Sequence, residues 1–223
     1  MAVDNELIKF VTTLVVDEIG KLGHKMALSS PRYVNVGISA RHVHLQRDHV
    51  EALFGKDYRL THFKDLSQPG QFAANEAVTI IGPRGKIEKV RILGPERPHT
   101  QVEVAASDAR ILGINTEVRN SGDVKGTPGL TIIGPQGSIE IKEGVILADR
   151  HIHMSPQEAD LYGVKNGQKV SVVVPGNRGG IINNVTVRVS ENYRLDMHID
   201  TDEANAFLVK QGDKLEIVSQ IGR

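Results

Sequence analysis

The sequence predicts a mainly β fold with short α-helices, built from two related halves. Short β-rich runs such as 33–39 and 169–174 recur at near-even spacing, separated by turns rich in glycine, proline and asparagine. This texture is typical of β-barrels or β-sandwiches rather than of alternating β–α units. In addition, the motif arginine–histidine–apolar–histidine–apolar occurs twice, at residues 41–45 and 150–154. A repeated motif in similar surroundings indicates an internal repeat.

The N-terminal region precedes this β-rich part and has a different pattern. Residues 4–22 carry apolar side chains at helical spacing with charges opposite them, and Gly23 would end the helix. Residues 29–31, Ser-Ser-Pro, are typical of a linker. Two interpretations stay open. The helix packs on its own domain, or residues 1–25 are an amphipathic tail that docks on a partner or shell protein.

A short helix is expected directly after the second histidine motif. Residues 155–158, Ser-Pro-Gln-Glu, place an N-cap serine, a proline at the first helical position and a capping-box glutamate, and Gly163 would end the helix. After the first motif, Asp48 and Glu51 stand in the same relation. We therefore predict capping roles, not metal binding, for Glu51 and Glu158.

Composition narrows the possible functions. The 223 residues include 27 Lys and Arg and 27 Asp and Glu, so the net charge is zero, which argues against a protein built on nucleic-acid backbone contacts. The absence of cysteine excludes disulfides, thiolate ligands and a cysteine nucleophile. No stretch approaches the roughly 20 apolar residues that span a bilayer, and no targeting segment is evident. We predict a cytoplasmic protein that binds neither nucleic acid nor membrane.

The similarity between the halves continues beyond the histidine motifs. Residues 78–92 resemble residues 170–187, because both read as a strand, a Pro/Gly turn with an arginine, and a second strand. Further on, residues 100–110 align with residues 195–205. Each half would therefore repeat one plan, with a His-x-His motif followed by one further potential ligand on a later strand.

This plan is suited to metal binding. Residues i and i+2 of a strand point to the same side, so both imidazoles of His-x-His can converge on one ion, and a third ligand leaves positions open for substrate. Imidazole and carboxylate ligands favour zinc, and cobalt, nickel, manganese and iron stay open on ligand type alone. The first half offers His42, His44 and Glu103, and the second half offers His151, His153 and His198.

Arg97 is a candidate anion-binding residue. It lies between two prolines in a loop that leads to the strand of Glu103, and a guanidinium can bind an anion through two parallel hydrogen bonds. The alternative is that Arg97 only pairs with Glu96 or Glu103. The glycine-rich turn at residues 120–129 includes Ser121, which could also face an anion, although its spacing alone indicates only a turn.

Several motifs in order resemble the phosphate propanoyltransferase family, phosphotransacylases associated with bacterial microcompartments. They are GISARHVHL, RILGPERPHTQVEVAASDARILGI, SGD with GTPG, LADRHIHMSPQEA and MHIDTDEANAF. The resemblance runs from about residue 34 to the C-terminus. It implies two β-barrels with the active site between them, and the reversible reaction of a propanoyl- or acetyl-CoA with phosphate to give acyl phosphate and coenzyme A.

The resemblance also implies roles for individual residues. The two predicted ligand sets would each hold one zinc ion, and Arg97 would be the catalytic, phosphate-binding residue, together with Ser121. The contacts to coenzyme A would come from Ser39, Lys64, Arg91, Leu93 and Asn205.

The domain organisation and partners follow from the same comparison together with the position of the motifs. We expect a first barrel from residues 34–40 plus 149–223 and a second from residues 41–148, because each histidine motif follows a strand and precedes a helix. Residues 1–25 would direct the protein into a microcompartment through its shell or core proteins. We also expect a homo-oligomer.

Two other functions remain open from the residues alone. A His-x-His after a strand also opens the metal site of amidohydrolase barrels, although 223 residues of β texture are short for an eight-fold β/α barrel. A cupin-like sensor would also use His-x-His with a later glutamate and histidine. The glutamate after each motif suits a capping box better than a strand.

Overall fold

The computed structural model describes residues 11–20 and 32–218. These residues form short helices and fifteen strands, which confirms the predicted mainly β fold class. Residues 11–20 form α1, and the later helices are α2 (Arg47–Phe54), α3 (Ala106–Leu112), α4 (Pro156–Tyr162) and α5 (Thr201–Phe207). The strands are β1 (Arg32–Ser39), β2 (His42–His44), β3 (His62–Asp65), β4 (Phe72–Ile81), β5 (Lys86–Gly94), β6 (Gln101–Glu103), β7 (Val118–Arg119), β8 (Leu130–Ile133), β9 (Ser138–Ile141), β10 (Val145–Ala148), β11 (His151–Met154), β12 (Lys169–Val174), β13 (Gly180–Val189), β14 (Asp196–Asp200) and β15 (Lys214–Val218).

Six strands form a closed barrel in the order β1-β14-β11-β13-β12-β15. Its interior is filled mainly by β-branched residues, among them Val36, Ile152, Val172 and Ile217. Such side chains keep few rotamers and pack well on a pleated surface, which explains how a barrel core can form with few aromatic residues.

The other strands form a nine-stranded sheet in the order β7-β10-β6-β2-β5-β4-β8-β9, with β3 paired to β4. This sheet curls around its own apolar core, which includes Val43, Ile80, Ile92 and Ile132. Unlike the first barrel, it keeps two ends, at β7 and β9. The second lobe is thus a curled sheet rather than a closed barrel.

The chain crosses between these two lobes twice. It leaves the closed barrel after β1 and enters the curled sheet at β2, and it returns between β10 and β11. Each crossing leads directly into a histidine motif. The strands of the closed barrel lie within residues 32–39 and 151–218, and those of the curled sheet lie within residues 42–148. We propose the division into residues 34–40 plus 149–223 and residues 41–148 on this basis.

The internal repeat is visible in the strand pairing. His42 pairs with Glu103 across the antiparallel strands β2 and β6, and His151 pairs with His198 across β11 and β14. The hairpins β4–β5 and β12–β13 are equivalent too, because β5 lies parallel to β2 and β13 lies parallel to β11. The sequence alignment of the two halves is therefore confirmed.

The capping prediction is right for one helix and wrong for the other. At α4, Ser155 accepts a hydrogen bond from the Glu158 amide, the Glu158 carboxylate accepts one from the Ser155 amide, and Gly163 ends the helix in the left-handed region. At α2, however, the N-cap is Gln46 and Glu51 instead pairs with Arg47 at 2.7 Å.

The reason lies in the neighbouring loop. The Gln46 amide donates to Thr100 Oγ1 at 3.1 Å, which holds the start of α2 earlier than Asp48 would place it. The capping role predicted for Glu51 is therefore replaced by an ion pair inside the helix.

The described part of the N-terminal region, α1, is helical as predicted, and all ten of its residues are exposed. Its apolar side chains Val11, Leu14, Val15 and Ile19 share this exposure. The rest of the predicted segment, residues 1–10 and 21–25, lies outside the described residues. Within the described ranges, no helix combines the length and hydropathy needed to cross a bilayer.

Candidate metal centres and the cavity between the lobes

The first histidine motif and Glu103 form a compact buried cluster. The three residues of β2 are all buried, and the imidazole rings of His42 and His44 lie 5.0 Å apart. Glu103 reaches both rings, with its carboxylate oxygens 3.4 Å from His42 Nε2 and 3.9 Å from His44 Nε2. Three potential ligand atoms of this cluster lie within 4.8 Å of one another, as a shared ion requires.

The second cluster has the same plan with a histidine in place of the carboxylate. His151, His153 and His198 lie with their ring centroids 4.5 to 5.1 Å apart. Gly37 on β1 pairs with His198, and a Cβ at Gly37 would lie 3.0 Å from both the His198 ring and the Asp196 carboxylate. A side chain at this position would therefore press on the His198 ring.

Backbone carbonyls orient three of the imidazoles. His42 Nδ1 donates to Ala40 O at 2.9 Å, and His151 Nδ1 donates to Asp149 O at 2.7 Å, each two residues before the histidine. His44 Nδ1 lies 3.3 Å from Leu93 O. Such a bond fixes the tautomer, so the Nε2 lone pair of each of these rings is free to bind an ion.

The electrostatics keep most of these rings neutral. Burial, with the charge of a neighbouring histidine, lowers the pKa of His151 to about 4 and that of His153 to about 2, and the same causes hold the pKa of His44 well below its ordinary value. Burial also lowers the pKa of His42, but the Glu103 charge outweighs it and the net pKa is raised. Neutral imidazole is the form that binds metal.

Glu103 is ionised despite its burial. Burial raises its pKa, but the charge of His42 and hydrogen bonds from His42 and Ser121 hold the pKa well below its ordinary value. The first cluster thus provides a carboxylate and two imidazoles, and the second provides three imidazoles. Both are ligand sets that suit zinc and related divalent ions.

The arginine of each histidine motif has a structural role that the sequence did not reveal. Arg41 Nε lies 2.9 Å from the Asp108 carboxylate, and Arg150 Nε lies 3.1 Å from the Glu203 carboxylate. Both carboxylates stand at the third position of the helix that follows the third ligand. Each arginine therefore links its histidine strand to that helix. The alignment of Asp108-Ala109 with Glu203-Ala204 was the signal in the sequence that could have revealed these two ion pairs.

Arg97 lines the same cavity and forms no ion pair with a carboxylate in residues 11–20 and 32–218. Its Nη1 donates to Ser121 Oγ at 3.0 Å, and the Ser121 hydroxyl donates to Glu103 at 2.9 Å. Glu96, considered above as its partner, pairs with Arg47 instead, at 2.9 Å. The structure therefore leaves the guanidinium of Arg97 close to the first cluster with hydrogen-bond donors to spare.

Gln101 is a further residue of this region that sequence reasoning missed. Its side-chain amide donates to Glu103 at 2.6 Å and to Ser121 at 2.9 Å, and its carbonyl accepts from the Gly122 amide at 2.7 Å. Gln101 thus anchors the turn that carries Ser121 to the strand that carries Glu103. Its position two residues before Glu103, on the same strand face, was the available signal.

Both clusters open into one cavity of about 740 Å³ between the lobes. Of the five predicted coenzyme A contacts, four line it, namely Ser39, Lys64, Arg91 and Leu93. Asn205 is exposed on α5 and does not line it. The Arg91 guanidinium donates to Ala74 O and Asn75 O and lies 5.1 Å from the Phe63 ring.

The loop between β3 and β4 connects the lobes beside this cavity. Gln68, which is buried, donates to Arg194 O at 3.0 Å and accepts from the Arg194 amide at 3.2 Å. Ser67 Oγ lies 3.3 Å from His198 Nε2, so this loop of the curled-sheet lobe contacts the second cluster. The cavity is thereby closed on one side by contacts from both lobes.

The residues present fit two resident metal ions. Each of the two groups brings three potential ligand atoms within 4.8 Å of one another, and His153 Nδ1 is a buried nitrogen without a hydrogen-bond partner among the described residues. A buried polar atom of this kind is costly unless a ligand binds near it. The described residues therefore place two candidate ligand sets, with Arg97 beside the first, on the wall of one cavity.

Comparison with known proteins identifies the family. The pattern of the phosphate propanoyltransferase family matches residues 35–210. A phosphate propanoyltransferase of Thermotoga maritima is 54% identical over 184 residues, 82% of this chain and 88% of that protein. Those of Priestia megaterium and Rhodopseudomonas palustris are 51% and 46% identical, and cover 91% and 97% of this chain, and 93% and 99% of their own lengths. The chain belongs to the phosphate propanoyltransferase family, which confirms the predicted family and the prediction of an acyltransferase.

Proposed function

We propose that this chain transfers a propanoyl or acetyl group reversibly between coenzyme A and phosphate at a two-zinc site. The observation that carries the proposal is one shared cavity, which brings both candidate ligand sets together with an arginine that forms no ion pair with a carboxylate of the described residues. The names of its relatives support the same activity. They favour acyl transfer over a hydrolase or a cupin-like sensor.

The first task of the protein is to hold phosphate. The Arg97 guanidinium donates to Ser121 Oγ through Nη1, and its other N–H groups can donate to phosphate. Because Arg97 is partly buried, a charge-assisted hydrogen bond there is stronger than one in water. Arg97 is therefore the proposed catalytic residue, and it touches the phosphate itself.

The chemical step is a direct attack. A phosphate oxygen bonds to the thioester carbonyl carbon, the carbon–sulfur bond breaks, and its electron pair leaves with the sulfur of coenzyme A. Metal ions at the two clusters would supply positive charge to the carbonyl oxygen and the leaving thiolate. Since the chain has no cysteine, we propose no cysteinyl acyl-enzyme.

Coenzyme A is proposed to enter along the wall formed by Ser39, Lys64, Arg91 and Leu93. Lys64 and Arg91 offer cationic groups at this wall, as recognition of the phosphates of coenzyme A requires. Asn205 would contribute only from the rim, because it is exposed and outside the lining.

The decisive experiment is an assay of purified protein with acetyl-CoA and propanoyl-CoA, with metal analysis of the same sample. We expect release of coenzyme A that depends on phosphate, formation of acyl phosphate, and two zinc ions per chain. Equal release with and without phosphate would instead indicate a thioester hydrolase. Trapping of a covalent acyl-protein on the kinetic path would rule out direct attack.

We further propose that residues 1–25 direct the enzyme into a bacterial microcompartment through its shell or core proteins. The exposed apolar side chains of α1 support this, because an exposed apolar helix face can dock on a partner protein. Deletion of residues 1–25 should leave the acyl-transfer rate intact and abolish co-sedimentation with microcompartments. Retained co-sedimentation would contradict the proposal. Light scattering would test the expected homo-oligomer.

A further inference from the structure

We propose that Arg188 is a second phosphate-binding residue, which holds the anion from the side opposite Arg97. This inference rests on the proposed phosphotransacylase function and deepens it. Arg188 stands outside the recognised motifs and was not among the predicted site residues. Its position and its neighbours both point to this role.

The position of Arg188 follows from strand register. On β13, Thr186 pairs with His151 and Arg188 pairs with His153 of the parallel strand β11. Alternate residues of a strand share a face, so Arg188 lies beside the second cluster as the histidines do. It is half-buried and lines the cavity between the lobes.

The internal repeat shows that this position does not need a charge for structural reasons. In the first half, His42 pairs with Arg91 of β5, which makes Leu93 the residue beside His44 and hence the counterpart of Arg188. The uncharged Leu93 is therefore compatible with the fold at that position. The second half places an arginine at the equivalent position, while the first half supplies Arg97 from the loop after β5.

Each arginine lies at a different cluster. Arg97 is linked to the first cluster through Ser121, which donates to Glu103, and Arg188 lies beside His153 of the second cluster. The two arginines also influence each other, since burial and then the charge of Arg188 are among the causes that lower the pKa of Arg97. Both arginines also line the same cavity between the clusters.

No carboxylate of the described residues forms an ion pair with Arg97 or Arg188. The hydrogen bond of Arg188 is to the Tyr193 hydroxyl, at 3.5 Å, and its guanidinium lies 5.9 Å from the Tyr193 ring. Tyr193 also packs on His153, with ring centroids 4.2 Å apart. Tyr193 is thus a positioning residue that leaves most donors of Arg188 free.

Two guanidinium groups that share a partly buried space repel each other unless an anion lies between them. A phosphate dianion accepts hydrogen bonds on several oxygens at once and so suits two planar forks. Held between Arg97 and Arg188, it would lie next to both clusters. From that location a phosphate oxygen can attack a thioester bound along the proposed coenzyme A wall, because that wall lines the same cavity.

The test compares Arg188→Ala and Arg188→Gln with the wild-type protein after metal loading. Loss of a charge-assisted hydrogen bond should raise the KM for phosphate about 10- to 100-fold, with the KM for acyl-CoA and the metal content unchanged. Arg178→Ala is the matched control, because Arg178 is exposed in the β12–β13 turn and lies outside the cavity lining. Arg188→Lys should give an intermediate KM, since lysine keeps the charge and loses the fork.

Calorimetric titration with inorganic phosphate gives a readout that does not depend on turnover. Binding to the metal-loaded protein should weaken by the same factor in Arg188→Ala and in Arg188→Gln, and stay unchanged in Arg178→Ala. An unchanged phosphate KM and an unchanged phosphate affinity in both variants would overturn the proposed role of Arg188 and leave the proposed function standing. A wild-type protein that turns over no acyl-CoA with phosphate would overturn the proposed function, while the titration still decides the phosphate contact.

Discussion

Glu103 lies directly opposite His42 across the antiparallel strands β2 and β6, and its carboxylate reaches His42 Nε2 at 3.4 Å. His198 holds the same register position opposite His151 in the other lobe. One pairing rule therefore builds both clusters, with a carboxylate in one and an imidazole in the other. The first cluster is one negative charge richer than the second, so the two ions would differ in electrophilicity.

Glu103→Ala should remove one metal ion per chain and leave the other bound. The carboxylate is the only charged member of the first ligand set, and the second set lies on separate strands. Metal analysis after dialysis measures the stoichiometry, with Glu140→Ala as the control because Glu140 is exposed on β9. Two ions retained by the Glu103 variant would exclude Glu103 as a ligand.

Arg97→Ala should reduce the phosphate dependence of the reaction while the metal content stays the same. Loss of a charge-assisted hydrogen bond amounts to about 1.5–3 kcal/mol, or about 10- to 150-fold in kcat/KM for phosphate. Steady-state kinetics at varied phosphate provide the measurement. Arg110→Ala, an exposed arginine on α3, is the control. Kinetics equal to those of the wild type would remove Arg97 from the mechanism.

Gly37→Ala should disturb the second cluster and spare the first. The added Cβ would lie 3.0 Å from the His198 ring, so we expect the imidazole to be displaced by a few tenths of an ångström. We expect weaker metal binding at one of two sites, measured by competition with a chelating dye. Gly20→Ala is the control, since a Cβ at Gly20 meets nothing within 4 Å. Metal affinities equal to those of the wild type at both sites would show that β1 accommodates the added methyl group without disturbing the second cluster.

Removal of metal should lower the resistance of the protein to heat. Ions that bind only the folded state stabilise it by about 4 kcal/mol at a thousandfold excess over Kd. Scanning calorimetry with and without a chelator would show a drop in Tm, and zinc should restore it. Superimposable curves would mean that the clusters bind no ion under those conditions.

The predicted ligand clusters were accessible from sequence because strand periodicity and the repeat both act over short distances. His-x-His fixes two ligands locally, and the aligned halves bring in Glu103 and His198. Arg188 was not accessible, since its place beside His153 depends on the pairing of β11 with β13, which no local pattern encodes. The capping role predicted for Glu51 was wrong for a related reason, because the start of α2 is held by a hydrogen bond to Thr100, which lies far from it in sequence.

The membership of β1 in the closed barrel has a consequence for the order of biosynthesis. β1 is the first strand of the barrel to be synthesised, whereas its partners β14 and β15 end at residues 200 and 218. The curled sheet, with its complete cluster of His42, His44 and Glu103, can assemble once residue 148 has left the ribosome. The barrel must wait for almost the whole chain, so β1 stays unpaired through most of translation, and closure of the barrel is a late, non-local step.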